Sequence, residues 1–235
     1  MRWISWALAT SIACGMAALP VIAQQSFPSS AATQTRFVVV IDAAHGGDDA
    51  GGRLSDGTQE KALTLALSAR LRSLLAARGI QVVTTRDSDT SVESNRRAEI
   101  ANRTAAQACI LLHATESGSG IHLFVSPLAP AGHSHFVAWK TAQSGWISRS
   151  LALAGALNSA LQGAGMKVSN LRTALPGMES MTCPAVAVEI APEVGSDNEV
   201  TAGIEDAEYQ ARVVAALAAA LVAWRADESQ GGRTP

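Results

Sequence analysis

The sequence predicts an α/β fold: a single domain on a twisted, mostly parallel sheet with helices on both faces. Three observations carry this. Nearly continuous apolar runs of strand length recur along the chain, as expected of strands buried on both faces. Longer segments between them repeat leucine or alanine at helical spacing, the pattern of helices with one buried stripe. The two kinds alternate, and strand–helix–strand order is what the crossovers of a parallel sheet require.

Each element can be justified in turn. Phe37 to Asp42 is an apolar run ending on an acid. Gln59 to Arg78 places Leu63, Leu67, Leu71 and Leu74 on one helical face, and Gly79 is positioned to end that helix. Ile80 to Thr85 reads as a second strand, Glu93 to Gln107 as a second helix, Cys109 to His113 as a third strand and Gly120 to Ser126 as a fourth. Trp146 to Leu161 is helical, with Leu151, Ala154, Leu157 and Leu161 along one face. Pro184 to Ile190 is a further buried strand, and Asp206 to Arg225 is a long Ala-rich final helix. There is no internal repeat and no sign of a second domain.

The ends read differently. Met1-Arg2-Trp3 is a short basic start, Ile4 to Leu19 is largely apolar, and Val21-Ile22-Ala23 offers small or aliphatic residues for cleavage. Residues 1–23 are therefore expected to be a secretory signal peptide, too short and weakly flanked for a membrane span. An uncleaved anchor is the alternative. Residues 24–35, rich in Ser, Gln, Ala and Thr, are expected to form a flexible linker. The folded domain would then occupy 36–226, with 227–235 a disordered tail. No stable membrane span would remain after cleavage, and the chain would act outside the cytoplasm, in a periplasmic or extracellular setting.

Loss of residues 1–23 removes Arg2 and no acid, taking the formal charge from −2 to −3. With no basic run or basic face, nucleic acid is excluded as a partner. Of the three cysteines, Cys109 and Cys183 would remain. Export makes a bridge permissible, but each cysteine abuts a core strand, and both are expected to be free and buried.

The chemistry-bearing residues gather at strand ends, where open α/β sheets place their ligands. His45 follows the first strand in Ile41-Asp-Ala-Ala-His-Gly-Gly47, His113 closes the third, and Glu189 lies near the end of the strand Pro184 to Ile190. A catalytic zinc takes three protein ligands, mostly His and carboxylate, and keeps one position for water. His45 and His113 are the best pair for it, with Glu60 the candidate third ligand. Taken singly, Glu60 is more simply a first-turn acid favoured by the helix dipole. His122 is either a satisfied sheet histidine or a groove residue. His133 and His135 form an H-x-H in a loop, more often a solvated pair than a chelate. Asp42, Asp48 and Asp49 either orient ligands or serve turns and caps.

Taken in order, these segments resemble a known family. Ile41-Asp-Ala-Ala-His-Gly-Gly47, Gly57-Thr-Gln-Glu-Lys61, Thr84-Thr-Arg-Asp87 with Arg97 and Ala101-Asn102, Leu112-His-Ala114 and Val188-Glu-Ile190 resemble the zinc-dependent N-acetylmuramoyl-L-alanine amidases of bacterial cell walls. The match runs from about Phe37 to Arg225. The resemblance implies Zn2+ held by His45, Glu60 and His113, with Glu189 as the catalytic carboxylate. It implies peptidoglycan as the substrate, cut at the amide between the lactyl group of N-acetylmuramic acid and L-alanine. Three positions depart from the family pattern: Ala43-Ala44 stands where Pro-Gly is usual before the histidine, Thr115 where asparagine is usual, and Ala191-Pro192 where Gly-Phe is usual.

Arg97 and Asn102 have two readings. One has them tying their helix to neighbouring loops; the other makes Arg97 a substrate-binding residue, its planar fork holding a stem-peptide carboxylate. Two other functions compete with the amidase: another zinc peptidase acting on wall peptides, and a non-catalytic peptidoglycan-binding module on the same fold. With no repeated wall-targeting domain, targeting falls to the catalytic surface or to an activator protein whose identity the sequence does not give.

Overall fold

The computed structural model of the chain describes residues 36–131 and 138–231. The expectations for 1–23, 24–35 and the pair His133 and His135 lie outside the described residues. The elements run β1 (Val38–Ala43), α1 (Glu60–Ala76), β2 (Gln81–Thr84), α2 (Ser94–Arg103), β3 (Ala108–Ala114), β4 (Ile121–Val125), α3 (Ile147–Gly163), β5 (Val168–Arg172), β6 (Ala185–Ile190), the short pair β7 (Glu193–Val194) and β8 (Val200–Ala202), and α4 (Ala207–Gly231). Six strands form one sheet in the order β2-β1-β3-β6-β4-β5. Every neighbouring pair in it is parallel except β4 with β6. The α/β class and the mostly parallel sheet therefore hold.

Alternation along the central strands divides their side chains between two cores. Val39, Ile41, Ile110, Leu112, Val186 and Val188 face one side, packed by Leu67 and Leu71 of α1, Leu153 and Leu157 of α3, and Val213 and Leu217 of α4. Val40, Cys109, Leu111, Ala185 and Ala187 face the other, covered by Ala98 and Ala101 of α2 with Met178 and Met181. Small residues on this second face let the thin α2 layer sit close to the sheet.

Local readings need four corrections. On α3 the buried stripe runs through Leu153 rather than Leu151, which is 46% exposed. The last helix does not stop at Arg225 but continues to Gly231, so the start of the expected disordered tail is helical. β5 was not anticipated: Val-Ser-Asn-Leu-Arg is a polar edge strand, exposed along most of its length, and carries neither apolar run nor clean alternation. Gly79 does terminate α1, with φ +70°, its N–H on Ala76 O and that of Ile80 on Leu75 O.

The fourth correction is chemical. Cys109 and Cys183 are both fully buried, as expected, but they are joined in a disulfide with Cα atoms 6.2 Å apart, inside the range a bridge spans. Cys109 pairs in register with Ala185, so Cys183 arrives beside it as the chain enters β6. Proximity to core strands argued for free thiols; it is because those strands are neighbours that the thiols meet.

Candidate metal and catalytic site

β1 and β3 are parallel neighbours, with Ala43 opposite Leu112, and both deliver their carboxyl ends to the same edge of the sheet. Beyond β1 the chain turns sharply. His45 has φ +62° and is followed by Gly46 at φ +131° and Gly47 at φ +62°, a run only glycine-rich sequence tolerates. Neither Ala43 nor Ala44 has a positive φ, so the turn starts one residue later than a glycine at 44 would suggest.

The turn is held by buried cations. Arg97 is 7% exposed. Its Nη1 donates to Asp42 Oδ1 at 2.6 Å and to Ala43 O at 2.7 Å, its Nη2 to His45 O at 2.7 Å and its Nε to Val92 O at 2.8 Å. Arg86 donates from Nε to Ala43 O and from Nη2 to Ala44 O and Lys61 O. Burial, then the like charge of Arg97, lowers its pKa. Lys61 Nζ reaches Gly47 O at 2.6 Å and Asp89 Oδ2 at 2.8 Å, while Asp89 Oδ1 accepts from the Gly47 N–H. Arg97 thus faces the backbone of the β1 loop, not an open groove, and the tying role is the one its geometry fits. Asn102 likewise clips Ser180 O and the Thr182 N–H. Arg86 and Lys61 fall within the segments that carry the family resemblance and Asp89 does not, and nothing in their spacing tells that they point at the β1 loop.

This scaffold brings three expected residues together. His45, Glu60 and His113 each offer one ligand atom, all within 4.8 Å of one another. His45 Nε2 lies 3.1 Å from Glu60 Oε2, and His113 Nδ1 lies 3.1 Å from Glu60 Oε1. The imidazoles meet edge to face, 5.6 Å between centroids. Asp49 Oδ2 takes His45 Nδ1 at 2.8 Å, which leaves Nε2 for the cluster, the arrangement by which a carboxylate orients a histidine ligand. Asp49 also accepts from the Gly51 N–H at 3.1 Å.

Glu60 opens α1, whose preceding Gln59 makes no side-chain cap, so this acid is not serving a capping box. It is 6% exposed and accepts from the N–H groups of Gly52 and Ala114 as well as facing His113. Burial pushes its carboxyl up, but those hydrogen bonds outweigh it and hold the pKa below the ordinary carboxylate value. A Cβ at Gly51 would sit 2.6 Å from His45 Cδ2 and 2.7 Å from Glu60 Oε2. The cluster therefore depends on a glycine there. Two imidazoles and one ionised carboxylate converge here, the His45 ring and the Glu60 carboxylate each held by further hydrogen bonds, and form a donor set that fits zinc.

Glu189 stands directly opposite His113 in the β3–β6 register. On its other side, Glu189 is opposite His122 in the antiparallel β4–β6 pair. His122 Nδ1 contacts Glu189 Oε2 at 2.8 Å. That partnership was not legible from sequence, because it needs β4 to run against β6.

The fold and donor set define an α/β domain with a histidine–carboxylate cluster, able to hold a metal ion, at the carboxyl end of its sheet. The family follows: residues 39–223 match the model of the N-acetylmuramoyl-L-alanine amidase family, and the chain belongs to it. Over 89 residues it is 35% identical to N-acetylmuramoyl-L-alanine amidase AmiA of Salmonella typhimurium, a stretch covering 38% of this chain and 31% of that protein. The chain thus matches under a third of that relative's length. The solved catalytic domain of CwlV, an N-acetylmuramoyl-L-alanine amidase from Bacillus (Paenibacillus) polymyxa var. colistinus, aligns with TM-score 0.62 and 26% identity over 80% of this chain and 97% of that one. Ami1 of Mycobacterium smegmatis aligns with TM-score 0.64 and 21% identity over 80% and 96% of the two chains, a likeness of fold.

Proposed function

We propose that the chain hydrolyses the amide between the lactyl group of N-acetylmuramic acid and L-alanine of peptidoglycan stem peptides. The observation that carries this is the convergence of His45, Glu60 and His113 within 4.8 Å, with Glu189 one strand away in register. In this reading His45 through Nε2, His113 through Nδ1 and Glu60 hold a zinc ion. When bound, zinc supplies Lewis acidity that polarises the scissile carbonyl and lowers the pKa of water.

This chain's own residues do the rest. Asp49 fixes the His45 ring, and the Gly52 and Ala114 N–H groups keep Glu60 ionised and aimed. Glu189 accepts one proton of the attacking water and returns it to the leaving alanine nitrogen, so the bond breaks into a carboxylic acid and a neutral amine, and the acid's own proton then passes to the amine or to solvent. Arg97 acts as a positioning residue for the His45 loop.

Export agrees with the Cys109–Cys183 bridge, since structural disulfides persist in oxidising compartments. No helix among the described residues is long and apolar enough to cross a membrane. The test is amide cleavage of a muramyl peptide by Glu189→Gln, with metal content measured alongside. Turnover should fall by about 10²-fold or more, the scale of a lost acid–base group, while metal is retained. An unchanged rate would place the base elsewhere.

A further inference from the structure

We infer that His122 is a positioning residue for Glu189, holding one carboxylate oxygen through Nδ1–H so that the other is left to accept the proton. The inference rests on Glu189 being the base, and adds a residue to that site which none of the quoted motifs contains.

His113, Glu189 and His122 occupy consecutive strands β3, β6 and β4 at matched positions, so their side chains rise in a row on the α2 face. His122 is the hydrogen-bond partner of the Glu189 carboxylate among the described residues. An ionised carboxylate only accepts, so the contact requires the hydrogen on Nδ1. The imidazole is 15% exposed and the carboxylate 29%, half-sheltered at the cleft rather than packed in a core.

The pocket around the ring is shaped for it. Gly118, in the loop before β4, has φ +87°, and a Cβ there would fall 2.6 Å from His122 Cε1 and 3.0 Å from Nε2. Phe124, two residues along the strand and on the same face, meets the ring edge-on at 6.3 Å. Register, glycine and phenylalanine together restrict the imidazole to the rotamer that reaches Glu189. A sheet histidine serving only stability would be expected to close onto backbone groups; this one closes onto the proposed base.

The mechanism needs such a restraint. Glu189 is flanked along β6 by Val188 and Ile190, which point to the opposite face and give its carboxylate nothing to bond. A carboxylate free to rotate about its last torsion presents the wrong oxygen for part of the time, and misplacement of a reacting group is costly in rate.

The experiment compares His122→Asn, His122→Gln and His122→Phe. The Asn side-chain nitrogen takes the place of His Nδ1; that of Gln takes the place of Nε2. Gln and Phe should lower kcat by about 10-fold to 100-fold, the usual cost of losing a supporting partner, with KM, metal content and melting temperature unchanged. Asn should recover most of the lost rate. Nitrogen-15 NMR of the purified wild-type protein should show the His122 hydrogen on Nδ1, a readout independent of turnover. An Nε2–H tautomer, or Phe at wild-type kcat while Glu189→Gln is inactive, overturns the positioning role and leaves the base intact. Glu189→Gln at full rate removes the base itself.

Discussion

His45 and His122 reach the same end of the sheet by opposite means. His45 sits on a loop with a left-handed backbone, and that loop is nailed down by Arg97, Arg86, Lys61, Asp89 and Asp49. His122 sits inside a strand, where ladder register, one glycine and one phenylalanine suffice. A functional side chain on a loop needs a buried polar scaffold to fix it. One on a strand inherits its position from the sheet.

Breaking the loop side at its centre should have the largest effect. Arg97→Ala leaves Asp42, 5% exposed at its side chain, without its cation, and uncovers the carbonyls of Ala43 and His45. Unpairing a buried ion pair costs about 3–5 kcal/mol. For a domain of this size that is a fall of roughly 10 °C in melting temperature, read by calorimetry, and it should be accompanied by loss of bound metal. A variant that melts normally would show that the loop does not depend on this arginine.

The strand side has its own anchor in the disulfide, which fixes β3 beside β6 and so His113 beside Glu189. Replacing Cys109 and Cys183 together by alanine should cost about 2–4 kcal/mol. The loss should appear in denaturant titrations as a lower midpoint with little change in kcat, because the ladder still sets the register once folded. A fall in kcat equal to that of His122→Phe would mean the bridge acts on site geometry as well.

Two glycines sharpen the contrast. Gly51→Ala forces a Cβ between His45 and Glu60 at φ +65°, and Gly118→Ala forces one against His122. Each should cost about 1–3 kcal/mol of local strain. The first should lower metal affinity in a chelator competition; the second should spare metal and lower kcat. Identical outcomes would erase the distinction between the two halves of the cleft.

The smallest effect is at the rim. Asp89 is exposed, and its carboxyl is held below the usual value first by Lys61 and then by the Gly47 N–H. A depressed folded pKa gives stability that is present above the unfolded value, near pH 4, and fades as pH falls through the folded one. Asp89→Asn should therefore lower neutral-pH stability slightly and leave stability below about pH 4 unchanged, flattening the acid loss, as urea midpoints at several pH values would report.

How much of this is readable without coordinates follows the same division. The buried strands β1, β3 and β6 announce themselves through Val38-Val-Val-Ile41, Cys109-Ile-Leu-Leu112 and Ala185-Val-Ala-Val188, because burial on both faces leaves no polar gaps. His45, Glu60, His113 and Glu189 were visible as strand-end and helix-start residues in a fixed order. Pairing was not. The antiparallel course of β4, the meeting of His122 with Glu189 and that of Cys109 with Cys183 all depend on strand order, which apolar runs do not encode. Arg97 had the converse problem: its residue type suits both a carboxylate ligand and a buried tie, and its bonds to the carbonyls of Ala43 and His45, which support the tie, are invisible in sequence.

The reversed direction of β4 also partitions the surface for change. Residues 115–120, entering β4, lie beside the carboxyl end of β6 and are stitched to it by exchange of backbone bonds between Gly120 and the Ala191–Pro192 segment. The chain leaving β4 emerges at the far end of the sheet, where Ser126 meets Glu179 and Arg172. Additions grafted into 115–120 would lie at the end of the sheet that carries His113 and Glu189. Additions at Ala129 or Pro130, exposed where Ser126 itself is fully buried, would start from the opposite end of the sheet, away from those residues.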